Sequence, residues 1–222
     1  MFKDVEEWVK KCDSCQYFKG RVQLAALSLK PVIIKEPFQQ WGLDFIGPIH
    51  PSSTTGHTHI LMATDYFTKW VEAIPVKQTT SEVVCNFIKQ NILVRFGVPN
   101  KIVTDNATNF SSQEISSFCY QYGIILSHSS DYFAQGNGQV ESSNKNIMTI
   151  VRKLIDVNQR SWHKHLYDAL WADRTTKKRA IGLYPFEILY GTKSCLPLPL
   201  ELSTLKLQNP IENYEFKDAL EK

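Results

Sequence analysis

Hydrophobic positions change period several times along this chain, and each change marks an element. From Trp41 to Ile49 the apolar residues run almost unbroken, as in a strand covered on both faces. A polar turn, 51–56, separates it from two further strand-like runs, His59 to Tyr66 and Trp70 to Pro75, which predict an antiparallel meander. The spacing then lengthens to that of a helix. Val84, Phe87, Ile88 and Ile92 make one stripe, opened by Thr79-x-x-Glu82 and ended at Gly97 and Pro99. Lys101 to Thr104 reads as a short buried strand. Ser111-x-x-Glu114 opens a second helix with Ile115, Phe118 and Tyr122 inward and Gly123 at its close, and Ile124 to Ser127 is a fifth strand. A long helix starts near Asn137 or Gly138, with Val140, Ile147, Val151 and Leu154 as its core stripe. Further helices are expected at Trp162 to Arg174 and Pro185 to Tyr190. Strands followed by alternating helix and strand spell an α/β fold.

The flanks read differently. Residues 4 to 20 predict a short helix leading into Cys12-Asp13-Ser14-Cys15, and residues 21–40, with Pro31 and Pro37, read as a linker. The expected organisation is a small domain over 1–20, the linker, a core over 41–195, and an extension over 196–222 that begins with Leu196-Pro197-Leu198-Pro199. Cys12 and Cys15 form half of a zinc site; a structural site needs four ligands, and no His or Cys precedes them. His50, His57 and His59 fall inside the core and are poor substitutes.

Composition narrows the class. A hydrophobic fraction of 43% with 21% charged residues is that of an ordinary globular protein. No run of about 18 apolar residues is present, which argues against a membrane span. Met1 to Glu7 lacks the apolar stretch of a signal peptide, and five cysteines, an odd number, suit a reducing compartment. The expectation is an intracellular, unsecreted protein with no membrane partner. Net charge is only +3, but residues 142–180 hold nine Lys or Arg against three Asp. Such a basic band suits a phosphate-backbone partner, though on charge alone a solvated helix face explains it as well.

The candidate chemistry lies in three acids. Asp44 sits within Trp41-Gly42-Leu43-Asp44-Phe45-Ile46, Asp105 ends the run Ile102-Val103-Thr104, and Glu141 follows Gly138-Gln139-Val140, with 35 residues between the last two. Carboxylates in apolar surroundings are costly to desolvate unless a cation compensates them. Taken singly, Asp44 reads as a hydrogen-bonded strand acid, Asp105 as a turn former and Glu141 as a helix-start acid. Taken together they suggest a divalent-metal site. Hard cations such as Mg²⁺ or Mn²⁺ prefer oxygen ligands, and two of them serve phosphodiester displacement. On the long helix Glu141, Lys145, Met148 and Arg152 share one face, which puts two cations beside the acid.

The acid spacing, with Gly138-Gln139-Val140-Glu141-Ser142-Ser143-Asn144-Lys145, resembles the catalytic core of retroviral and gypsy-class (Metaviridae) LTR-retrotransposon integrases. The likeness continues through Asp65-Tyr66-Phe67-Thr68-Lys69-Trp70, Arg95-Phe96-Gly97-Val98-Pro99 and Ala169-Leu170-Trp171-Ala172, and covers roughly residues 5 to 201. It implies a ribonuclease H-like fold, a five-stranded mixed sheet flanked by helices. It implies that Asp44, Asp105 and Glu141 hold two Mg²⁺ or Mn²⁺ ions as catalytic ligands. Trimming of element DNA ends and their joining to target DNA would follow, with double-stranded DNA as partner, a homo-oligomer as working form and the nucleus as location. Asn144 and Lys145 match positions that contact DNA in this family, and Gln135 and Asn137 lie in the loop that meets it; Arg152 extends their face. Cys12 and Cys15 match the end of the family's zinc domain, truncated here, so that Zn²⁺ requires a His pair from elsewhere. Asp65 belongs to the motif without being a ligand, and Cys85, Cys119 and Cys195 read as core or neutral positions.

Three departures stand out. Asp105-Asn106-Ala107 replaces the usual Asp-Asn-Gly, and a glycine conformation there would strain Ala107. Ser130-Asp131-Tyr132-Phe133-Ala134-Gln135 has lost two prolines and a histidine. Asp173 stands where a tyrosine is usual. They raise a second expectation, a catalytically degenerate remnant that binds nucleic acid or dimerises. A ribonuclease H-type nuclease is a weaker third.

Overall fold

The computed structural model describes residues 2–13, 36–128, 138–155 and 158–194. The chain divides into two compact units, Met1–Ile33 and Ile34–Lys222. In the first, helix α1 (Phe2–Lys11) has Asp4 in its first turn and Lys10 and Lys11 in its last, the order its dipole favours. Lys10 reaches Glu6 one turn back at 2.7 Å. The Cys12 N–H donates to the Val9 carbonyl and closes the helix. Cys15, most of the expected linker and the expected extension lie outside the described residues.

The second unit is built on a sheet of five strands: β1 (Gln40–Ile46), β2 (His59–Asp65), β3 (Val71–Val76), β4 (Lys101–Thr104) and β5 (Ile125–His128). Their spatial order is β3-β2-β1-β4-β5. β1 to β3 pair antiparallel, while β4 lies parallel to β1 and β5 parallel to β4. Strand β1 is shorter than its apolar run predicts. At Gly47 φ is 145°, and an added Cβ would lie 2.5 Å from the His59 ring. Only glycine fits there, and Pro48 after it has no N–H for a ladder.

Alternation of side chains separates two cores. Trp41, Leu43 and Leu61 face one side of the sheet. There they meet α2 (Ser81–Phe87), its π-helical continuation Ile88–Leu93, a short α3 (Val94–Phe96) and α4 (Gln113–Gln121). Ile60, Met62 and Ala73 face the other side, against Ile147 and Val151 of α5 (Gly138–Leu154) and Trp162 and Leu166 of α6 (Trp162–Arg174). Ile147 and Leu166 are wholly buried, each contributing about 1.5–3 kcal/mol before chain entropy is charged against it. Helices α2 and α4 begin one residue later than the acid-based capping boxes predict. Thr80 accepts from the Val83 N–H and Ser112 from the Ile115 N–H. Glu82 and Glu114 thus stand at the second helical position and act on the helix dipole instead of closing a box.

One buried acid ties three elements together. Glu72 on β3, 3% exposed, accepts from Trp70 Nε1 at 2.7 Å and pairs with Arg95 of α3 at 2.6 Å and Arg174 of α6 at 3.0 Å. Arg174 also donates to the Val71 carbonyl at 2.7 Å and lies 4.2 Å from the Trp70 ring centroid. Asp173, the acid that departs from the family pattern, is buried and paired with Lys178. It is an internal ion pair. Helix α7 (Pro185–Tyr190) docks by aromatic contacts, Phe186 on Trp171 and Tyr190 edge-on to Trp70. Among the described residues no helix is long and apolar enough to cross a membrane.

Candidate active site

Asp44 sits in the central strand, on the face of β1 turned toward α5. Two residues earlier on the same face, Gly42 explains how α5 comes so close: an added Cβ would lie 2.3 Å from Val140 Cγ2 and 2.8 Å from the Tyr66 ring. Val140 therefore seats on bare backbone, packed with Tyr66 and Val103. Its successor Glu141 is thereby delivered to the edge of the strand. The parallel register pairs Gly42 with Val103, and two residues further on it brings Asp105 alongside Asp44. The sheet fixes two of the acids and a missing methyl group sets the third.

The charges feel one another. Asp44 is pushed up from 3.8 to about 6, chiefly by burial and further by the neighbouring carboxylates of Asp105 and Glu141. Two hydrogen bonds oppose that rise: the Phe45 N–H donates to Oδ1 at 2.8 Å, and Asn144 Nδ2 donates to Oδ2 at 2.5 Å. The second joins positions 100 residues apart. Asn144, one turn after Glu141, is thus engaged with Asp44, and its own Oδ1 is buried with no partner among the described residues. Lys145 is exposed beside Glu141. Arg152, also exposed, borders a groove of about 530 Å³ between the end of β1 and the second half of α5. Eleven residues of helix set it about 16 Å from Glu141. Gln135 and Asn137 lie outside the described residues.

Asp105 is held by its own turn. Its Oδ1 accepts from the Ala107 N–H at 3.1 Å, and its carbonyl accepts from Thr104 Oγ1 at 3.0 Å. The strain expected at Ala107 is absent, since the described non-glycine residues with positive φ are Phe38 and Lys69; Ala107 instead packs against the core. Asp65 is wholly buried, and its carboxylate accepts from the Thr68 N–H and hydroxyl at 2.7 Å each and from the Phe38 N–H at 3.0 Å. It clamps a loop.

Residues 35–132 match a family model described as the integrase core domain. Over those residues the chain is similar to an integrase core domain. Its fold is the ribonuclease H-like one. The HTLV-2 integrase catalytic core domain, solved in complex with magnesium in a trimeric form, is similar over 68% of this chain and 96% of that one, with a TM-score of 0.55 and 25% identity. The Tf2-3 and Tf2-4 transposon polyproteins of Schizosaccharomyces pombe are 28% identical over 202 residues, 90% of this chain. The chain spans about 15% of the length of those polyproteins.

The donors of this site suit a hard divalent cation: three carboxylates, one of them raised by burial and by its neighbours, with no cationic side chain bonded to Asp44 among the described residues. Their spacing is open. Among the described residues no three His, Cys, Asp or Glu side chains stand close enough to share one ion. Sequence reasoning missed Gly42 and Tyr66 as supports of the site. A glycine two residues before a strand acid is the available signal, because a strand interior rarely gains from one. It also treated Asn144 only as a DNA contact, whereas here it holds Asp44.

Proposed function

We propose that this integrase core trims the 3′ ends of an element's DNA and joins them to target DNA in a divalent-metal reaction carried by Asp44, Asp105 and Glu141. One observation supports the reading above others: Asp44 is raised toward 6 by burial and by the charges of both other acids. Three carboxylates drawn into one field, with no ion pair to any of them among the described residues, are a cost that folding alone does not repay. Mg²⁺ or Mn²⁺ held by these acids supplies activation of the attacking oxygen and stabilisation of the departing one.

Both steps are displacements at phosphorus. In trimming, water oxygen forms the new P–O bond, the 3′-oxygen of the scissile nucleotide leaves and takes up a proton from solvent to become a hydroxyl, and a water proton passes to solvent. In joining, the freed 3′-hydroxyl forms the bond and the target's 3′-oxygen leaves with a proton. No side chain is consumed. Asn144 holds Asp44 in one orientation through Nδ2, so Asn144 is a positioning residue. Lys145 and Arg152, exposed along the same helix face, meet the phosphates that flank the reacting one. A homo-oligomer, like the trimeric form of the HTLV-2 core, and work in the nucleus, where chromosomal DNA lies, complete the proposal.

The test is Mn²⁺-dependent disintegration of a branched DNA substrate, comparing the wild type with Glu141→Gln. Activity in the first and about a thousandfold less in the second is expected, the order of effect seen when a group acting on transition-state charge is removed. A folded protein that binds DNA yet is inert in both forms is a remnant, and the proposal fails.

A further inference from the structure

A second groove, of about 450 Å³, lies on another flank of α5. It is lined by Ser142, Ser143 and Asn146 from that helix, by Lys69 from the turn between β2 and β3, and by Lys178 and Arg179 after α6. Taking about 100° per residue, Ser142 and Asn146 stand about 100° and 140° around the helix from Glu141. The groove is therefore distinct from the acid face but shares its helix.

Its lining has three cations and no carboxylate. Two of the cations are fixed in place. Lys69 Nζ donates to the Tyr66 carbonyl at 2.6 Å, and Lys178 is tethered to buried Asp173. An ammonium has three donors, so the tether of Lys178 to Asp173 holds that charge without exhausting it. Arg179 is exposed and makes no ion pair among the described residues. The Ser143 hydroxyl lies in this lining and makes no hydrogen bond to any described residue. It can donate to an acceptor, and the charge around it selects an anion. Arginine's planar fork is matched to phosphate, and a groove of this size admits a sugar–phosphate unit.

We propose that this groove is a second nucleic-acid subsite, seating a backbone phosphate of the bound DNA through Arg179, Asn146 and the Ser143 hydroxyl. The inference rests on the reading of this chain as a DNA-processing protein, and adds that the DNA is gripped on two flanks of α5. A strand held only along Glu141, Lys145 and Arg152 can roll about the helix axis; a contact a quarter-turn or more away stops that rotation.

The test is fluorescence anisotropy of a labelled branched DNA on the full chain, in EDTA so that chemistry plays no part, repeated over a range of salt. Arg179→Gln is expected to weaken binding roughly three- to tenfold and to lower the slope of log affinity against log salt by about 1, the signature of one lost phosphate contact. Ser143→Ala is expected to weaken binding about threefold with the slope unchanged, because it removes a neutral donor. Lys89→Gln, an exposed charge on the other side of the sheet, is expected to change neither. An Arg179→Gln slope equal to wild type overturns the proposal, as does a Lys89→Gln effect of the same size, which would mean bulk charge and no site. Amide shifts at Ser143 and Asn146 on titration with inorganic phosphate, without any loss of DNA affinity in Arg179→Gln, would leave a free-anion site and likewise overturn it. Disintegration activity lost from every form, with the Arg179→Gln slope change present, would sink the proposed chemistry and leave this subsite standing.

Discussion

In the metal-free protein Asp44 gives up its proton only near pH 6. Because the folded state then binds this proton more tightly than the unfolded chain does, stability on this account falls as pH rises from about 4 to about 6, and is flat above. Asp44→Asn removes the cost. It is expected to stabilise the metal-free protein at pH 7 by about 1–3 kcal/mol, less the screening of a partly exposed site, and to abolish activity. Thermal unfolding in EDTA at pH 4.5 and 7 checks this: the gain appears at the higher pH and shrinks at the lower. Asn144→Ala acts in the other sense. It deletes a hydrogen bond that lowers the Asp44 pKa, so the acid limb of the pH–activity profile is expected to move upward while a merely structural residue would lower the plateau alone. Much of this site is legible in sequence, since strand ends, a helix start and three acids can each be read locally. The raised pKa is not. It depends on a register, on a bare glycine at position 42 and on an asparagine 100 residues away, and none of these follows from local pattern.

Elements meet here through small numbers of decisive contacts. Gly42→Ala would put a methyl group 2.3 Å from Val140, forcing the start of α5 off the sheet. The expected cost is roughly 1–3 kcal/mol in urea unfolding, with a much larger loss of activity, because Glu141 moves with Val140. Glu72→Ala strands Arg174 beside Trp70 and is expected to cost about 3–5 kcal/mol, whereas Glu72→Gln, which keeps an acceptor, costs less. Helix periodicity gave the elements correctly and their ends less well. The caps at Thr80 and Ser112 fall one residue beyond the acid-based signal because the hydroxyl geometry, and not the glutamate, decides where a helix starts. The groove of Lys69, Ser143 and Arg179 was not legible as a unit, because its members sit on three separate elements, although each falls in a stretch that stands out in the sequence.

At the scale of the molecule, the proposed site predicts that the acids answer to a bound cation as a unit. Mg²⁺ or Mn²⁺ at about a hundred times its dissociation constant is expected to add about 2.7 kcal/mol to stability, visible as a rise in melting temperature that Asp44→Asn abolishes. The order β3-β2-β1-β4-β5 bears on assembly as well. Strands β1 to β3 are neighbours in sequence and close by local turns, so they can form early. The parallel pairs to β4 and β5 need long crossovers, and α5 must return to β1 across 100 residues before Asn144 reaches Asp44. Contacts of such long range are slow to form. During synthesis the nascent chain can therefore fold its meander while Asp44, Asp105 and Glu141 remain apart, and on the proposed reading a ribosome-bound fragment ending before α5 is expected to be inert toward DNA. On the proposed reading the hydrogen bond between Asn144 and Asp44 is a late checkpoint: the capacity to cut DNA would be acquired only when the core is complete.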